Sequence, residues 1–292
     1  MFLIVLIIVK KSFGQFNQEL FTVNYTYAPT GNDDHNFIKT DLQLNIPIRL
    51  SSGILINTIS FNYYQTTFVN DIIFNTVDLE KNYGINYGLM YTFNLSDKWS
   101  LAARGGVSLT SNLTNGISRD DLVFNGGLMG VKRGGTTNKP SKLMFGIGYA
   151  TITGKPRVIP LINYTKKVSE KFSYGIGFPK SNASYNINER STLKSILWMN
   201  GYYSNLSDPV DIGNNNNAEK SSFSAIALGL DYSYRMDESL SIVFKGGYSI
   251  KSKYDLLDND NNIIYSFDSS AKPYFSTGIK FNINKRFNNK IK

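Results

Sequence analysis

Apolar and polar positions alternate with a period of two along most of this chain, most cleanly over residues 222–253. Ile226, Leu228, Leu230, Tyr232, Tyr234 and Met236 share one parity, while Ala225, Ala227, Gly229, Asp231, Ser233 and Arg235 hold the other. That period turns successive side chains to opposite faces and predicts a β-strand. After a turn at Asp237-Glu238-Ser239 the rule resumes, with Leu240, Ile242, Phe244, Tyr248 and Ile250 set against Ser241, Lys245, Ser249 and Lys251. The unit is a hairpin. Pairing Met236 with Leu240 around the turn puts Asp231 opposite Lys245, a favourable cross-strand pair.

Each arm keeps its alternation over about 9–11 residues, the length of a tilted strand crossing a bilayer, whereas soluble strands average about 5–6. Tyrosines gather toward the ends of the stripe, where the ring lies in hydrocarbon and the hydroxyl in the interface. Similar stripes recur along the chain: Phe21 to Tyr27, Ile38 to Leu50, Leu55 to Tyr63, Tyr83 to Leu95, Leu101 to Leu109, Leu143 to Tyr149, Val158 to Tyr164, Phe172 to Phe178 and Phe275 to Ile283. The expected fold is all-β, a transmembrane antiparallel up-and-down β-barrel of about 12–14 strands.

Short turns at 51–53, 96–98, 169–171 and 237–239 alternate with longer polar connections at 29–36, 66–80, 206–221 and 255–262. Barrels of outer membranes have short periplasmic turns and longer external loops. Residues 133–140 are long for the short-turn side, and Gly126-Gly127 and Gly130 blur the alternation over 122–131. Pro47 has no N–H to give to a ladder, so it belongs near a strand end or at a bulge. Pro179 interrupts the pattern and predicts a half-length hairpin or an inward fold. The Asn-rich stretch 211–220 has nothing to bury and is expected to be exposed.

Composition sharpens this picture. Charged residues are only 18% of the chain, against 19 Tyr, 19 Phe and 24 Gly, a profile of girdled barrels. Residues 1–9 form an apolar run of signal-peptide length, with Ser12-Phe13-Gly14 as the cleavage region. The expected organisation is a signal peptide over 1–14 and one outer-membrane barrel over 15–292. No later run is long and apolar enough for a transmembrane helix.

The formal charge of +9 comes from Lys and Arg scattered singly through alternating strands, which argues against nucleic acid as a partner. The parity rule instead places Lys39, Asp41, Arg49, Asn86, Arg104, Asp231, Arg235, Lys245 and Lys280 on the lumen side. Cations outnumber carboxylates there, so small anionic solutes are the expected cargo.

Candidate chemistry is sparse. The chain has no Cys, which removes disulfides, thiolate metal sites and cysteine nucleophiles. Glycines at 146, 148, 175 and 177 lack both the third glycine and the helix of a phosphate loop. His35 is the single histidine, and Asp33-Asp34-His35 on an external loop offers an Asp–His pair for hydrolysis. The other reading of that trio is a solvated loop. No metal site, cofactor or catalytic residue is assigned.

A leader ending in Phe-Gly-Gln, a girdled meander, Gly177-Phe178-Pro179-Lys180-Ser181 followed by Ser184-Tyr185, and an amphipathic last strand resemble uncharacterised outer-membrane β-barrel families of the Bacteroidota. The resemblance implies a place in the outer membrane, contact with its lipid and lipopolysaccharide, and assembly by the barrel-insertion machinery. It implies no activity. Three functions follow from the sequence: a passive or selective channel, a closed structural or adhesive barrel, and a rim-located hydrolase.

Overall fold

The computed structural model describes residues 19–30, 35–69, 72–213 and 216–282. The expected signal peptide, Asp33, Asp34 and Ile283 lie outside them. The strands are β1 Glu19–Ala28, β2 His35–Leu50, β3 Gly53–Phe68, β4 Lys81–Asn94, β5 Trp99–Ser111, β6 Leu122–Gly135, β7 Pro140–Ala150 and β8 Arg157–Lys167. Then come β9 Phe172–Phe178, β10 Lys180–Asn186, β11 Ser191–Asp211, β12 Asn217–Arg235, β13 Leu240–Leu257, β14 Ile263–Phe267 and β15 Lys272–Asn282. A single 3-10 turn, Val77–Leu79, is the only helical element among the described residues.

Each strand pairs antiparallel with its sequence neighbour from β1 to β13. β15 then pairs with both β13 and β1, joining Phe281 to Phe21 and Phe275 to Tyr27. Among the described residues the sheet holds 15 strands; β14 pairs with β13 alone, and the other fourteen close the ring. Pairing of β15 with β1 covers the edges that the first and last strands would otherwise expose. Outward positions form an apolar belt: Leu89, Phe145, Ile176, Leu230 and Phe275 are all exposed. Trp99 ends this belt at the short-turn side, edge-on to Phe145 at 6.2 Å and beneath Lys132 at 5.3 Å.

Asp231 pairs with Lys245 as the alternation requires. Other expectations need correction. The register of β12 on β13 shifts between Ile226 and Ala227, where Ile226 faces Lys251 and Ala227 faces Ser249. Ile250 is the extra residue of a bulge, so Lys251 turns outward instead of sharing the face of Lys245. Residues 133–140 are no long loop, because β6 runs on to Gly135 and a four-residue turn, 136–139, leads into β7. Nor are 206–211 and 217–221 loop. β11 runs on to Asp211 and β12 starts at Asn217, with Leu206, Val210 and Ala218 buried. Lys220 within the Asn-rich stretch is buried as well. Pro179 does join a half-length hairpin, β9 and β10 having 7 residues each.

At the end opposite the short turns the ring narrows. Asn205 of β11 forms a parallel bridge with Ser111 of β5, and at that level the ladder bypasses β6 to β10. Above the fourteen-strand tier therefore stands a smaller one made of β1 to β5, β11, β12, β13 and β15. Asn112 N–H donates to the Asn205 carbonyl at 3.4 Å, and Asn205 Nδ2 donates to Asp121 Oδ1 at 2.9 Å, sealing this seam. The interior of the small tier is the hydrophobic core of the molecule, including Phe37, Tyr64, Tyr202, Leu206, Phe223, Tyr254 and Leu256.

Candidate functional site

The small tier roofs the lumen with stacked rings. Tyr202 sits 4.6 Å from Tyr64 and 5.8 Å from Phe223, and Phe37 stacks on Phe223 at 5.2 Å. A second group joins through Tyr254, where Phe267 stacks at 4.8 Å and Phe68 at 6.2 Å. Each such pair contributes about 0.5–1.5 kcal/mol beyond its buried area.

His35 belongs to this group. It is the first residue of β2, 1% exposed, with its ring 5.3 Å from Tyr254 and 6.3 Å from both Phe68 and Phe267. Lys272 Nζ donates to its carbonyl oxygen at 3.0 Å. Neither a solvated loop nor a catalytic rim describes it. The two-residue period of β2 begins earlier than the sequence suggested and carries the ring into the core.

Below the roof lies a cavity of about 640 Å³, walled by β2 to β10. Its sides differ in chemistry. β3 to β5 contribute Thr58, Ser60, Asn86, Arg104 and Ser108, whereas β6 to β8 contribute Met129, Met144, Ile159 and Leu161 beside Asn125 and Asn163. Asn86 Nδ2 donates to Ser60 Oγ at 3.0 Å, and Asn125 Nδ2 to Ser108 Oγ at 3.2 Å, ordering the polar side. A smaller space of about 210 Å³ continues upward past Asn86 and Thr151 to Tyr64 and Tyr202. Lys39 reaches under the roof, 5.6 Å from the Tyr64 ring and 3.2 Å from Asp41.

The remaining wall is charged. Asp231 is buried and stands in register between Lys245 of β13 and Lys194 of β11. Lys245 Nζ reaches Asn24 Oδ1 at 3.4 Å, and Asn24 Nδ2 donates to Asp41 at 2.7 Å, so Asn24 bridges Lys245 and Asp41. Toward the short turns, Lys280 pairs with Glu19 at 2.9 Å. Lys280, Asp231 and Arg235 share a cavity of about 230 Å³ with Lys194 and Glu19.

The nine residues assigned to the lumen all carry the inward parity of their ladders, but they do not form one group. Asn86 and Arg104 line the large cavity. Lys39, Asp41, Asp231, Lys245 and Lys280 belong to the charged wall, while Arg49 and Arg235 are exposed at the short-turn end. Sequence reasoning passed over Glu19, Lys180 and Lys194. Lys194 was legible in principle, because it alternates with the outward Leu193 and Leu197. The apolar lining of Met129, Met144 and Leu161 carried no signal, since apolar residues on both faces read as a blurred strand.

A closed antiparallel barrel with a polar interior and an apolar exterior is the architecture of outer-membrane barrels. The chain belongs to the family described as Domain of unknown function (DUF6268), which matches residues 23–287. Among solved structures, the chain is similar to the NanC porin, at 9% identity and TM-score 0.43, covering 90% of this chain and 100% of that one. It is also similar to the KdgM porin, at 11% identity and TM-score 0.36 over 90% and 99% of the two chains. Outer membrane phospholipase A from Escherichia coli follows at 11% identity and TM-score 0.36, over 91% and 94%. Comparison with curated proteins gives no match.

Proposed function

We propose that this protein is a selective outer-membrane channel for small anionic solutes in a Gram-negative bacterium of the Bacteroidota. Its belt contacts outer-membrane lipid, its rim contacts lipopolysaccharide, and the barrel-assembly machinery inserts it. The observation that carries the reading is the lumen itself, a cavity of about 640 Å³ with Arg104 and Lys180 on its wall. Beside it Lys194 and Lys245 flank a single Asp231. Excess positive charge in a narrow tube with low-dielectric walls concentrates anions.

Planar-bilayer recording in a potassium chloride gradient tests this. The reversal potential is expected near the chloride equilibrium value, and Arg104→Glu with Lys280→Glu is expected to move it toward potassium. Cation preference in the unmodified protein would overturn the proposal. The aromatic roof favours a second reading, a closed structural barrel, for which the same recording gives no conductance.

A further inference from the structure

The fourteen-strand wall is incomplete on one side. β8 pairs with β9 only from Ile162 to Lys167, so residues 157–161 have β7 on one edge and no ladder on the other. β11 pairs with β10 only as far as Trp198, and beyond it that edge meets no strand until Asn205 reaches Ser111. The result is a window. Phe178 and Pro179 form its sill, tied to β11 where Met199 N–H donates to the Pro179 carbonyl at 3.1 Å. Its lintel is the β7–β8 connection, 151–156. Ser222 Oγ donates to the Gly154 carbonyl at 2.7 Å, and the Ile152 carbonyl lies against Gly201 so closely that a Cβ there would come within 2.6 Å.

The window opens at hydrocarbon depth, because Val158 and Ile162 on one side and Leu197 on the other turn outward and are exposed. A bare strand edge is not tolerated against lipid, but it is tolerated where backbone lines a cavity. The large cavity meets this edge at Ile159, Leu161, Phe178 and Pro179, with Lys180 just inside the sill. On β6 to β8 that cavity presents the side chains of Met129, Met144, Ile159 and Leu161, with Asn125 and Asn163 between them, and the facing wall is polar with Arg104.

We infer that the gap is a lateral port, through which a single-chain amphiphile with an anionic head passes between the lumen and the outer leaflet. The chain lies along Met129, Met144 and Leu161, and the head takes Lys180. This rests on the outer-membrane reading above but not on ion conduction.

The chain contains no Cys, so single cysteines report access in phosphatidylcholine liposomes. Dodecyl maleimide dissolved in the bilayer is expected to label Leu161→Cys as fast as the outward Ile162→Cys. It is expected to label Gln43→Cys, behind an unbroken ladder, about tenfold more slowly. Labelling of Leu161→Cys by a sulfonated, water-soluble maleimide alone would overturn the port. For the solute, Trp99→Phe leaves Trp198, which faces Lys180 and packs on Tyr274 at 5.4 Å, as the sole tryptophan, selectively excited at the red edge of the absorption band. Nitroxide-labelled dodecanoate is expected to quench it saturably, and Lys180→Gln to weaken that binding several-fold while leaving the methyl ester unchanged. Quenching that never saturates, or equal loss for acid and ester, would overturn the amphiphile. Potassium chloride current is read from the same preparation. Its absence beside bilayer labelling of Leu161→Cys defeats the channel and keeps the port, and its presence without that labelling does the reverse.

Discussion

Leu230 and Asn86 show how much one residue's parity decides. Leu230 is 55% exposed on the outward face, whereas Asn86 points inward and donates to Ser60. A cation on the lipid face near the midplane costs about 2–4 kcal/mol. Leu230→Arg and Leu89→Arg are therefore expected to lose that much stability in denaturant titrations in lipid, while Asn86→Arg loses far less. His35 makes the opposite point, since the single histidine is a core residue. His35→Ala removes a ring packed by Phe68, Tyr254 and Phe267. It is expected to cost about 2–4 kcal/mol, as large-to-small core changes do, read as a lower temperature for conversion of the folded gel band. Hydrolysis of peptide or lipid that vanished with His35 would contradict this placement.

At the level of elements, the Asp237 turn ties sequence to geometry. Its carboxylate accepts the N–H groups of Ser239 at 2.7 Å and Leu240 at 2.8 Å, and those donors hold its pKa below the ordinary carboxylate range. A depressed folded pKa gives stability that is present above the unfolded value of about 3.9 and lost as pH falls through the folded one. Asp237→Ala is thus expected to lower the unfolding temperature at pH 7, and the gap from the parent should close as the medium is acidified below about pH 4. Such turns, and strands with one apolar face, were legible because a two-residue period is a local signal. The tops of β11 and β12 were not. There Leu206, Val210 and Ala218 pack against residues far along the chain, and the intervening Ser, Asp and Asn read as loop. The bulge that turns Lys251 outward, and the path of His35, are likewise decisions of tertiary packing that no local period encodes.

For the whole molecule the controlling fact is a wide tier under a narrow one. Barrel bore grows with strand number, so the lumen is roomy below and filled by rings above. Tyr202 and Phe223 stand at the centre of that filling. The double change Tyr202→Ala and Phe223→Ala is expected to raise single-channel conductance several-fold in protein that still runs faster on a gel when unheated than when boiled, as a folded barrel does. Unchanged conductance would mean that ions do not pass through the roof. The charged wall was readable as a surplus of inward cations. The gathering of Met129, Met144, Ile159 and Leu161 on one side of the large cavity was not, because it depends on which strands face one another across the lumen.

The seam between β5 and β11 differs in kind from every other junction in the ring. Neighbouring strands elsewhere share ladders of four or more residue pairs, even beside the window, but here one bridge is supported by small polar contacts, among them Ser207 N–H to Asn112 Oδ1 at 2.8 Å and Ser111 to Ser207 at 3.2 Å. Junctions of that sort unfasten at a fraction of the global unfolding free energy. Amide exchange at Asn112 and Ser207 is therefore expected to outpace exchange in the flanking ladders. Parting there would merge the upper ring with the lower one, giving a tube that changes its circumference by counting strands in and out while every hairpin stays intact.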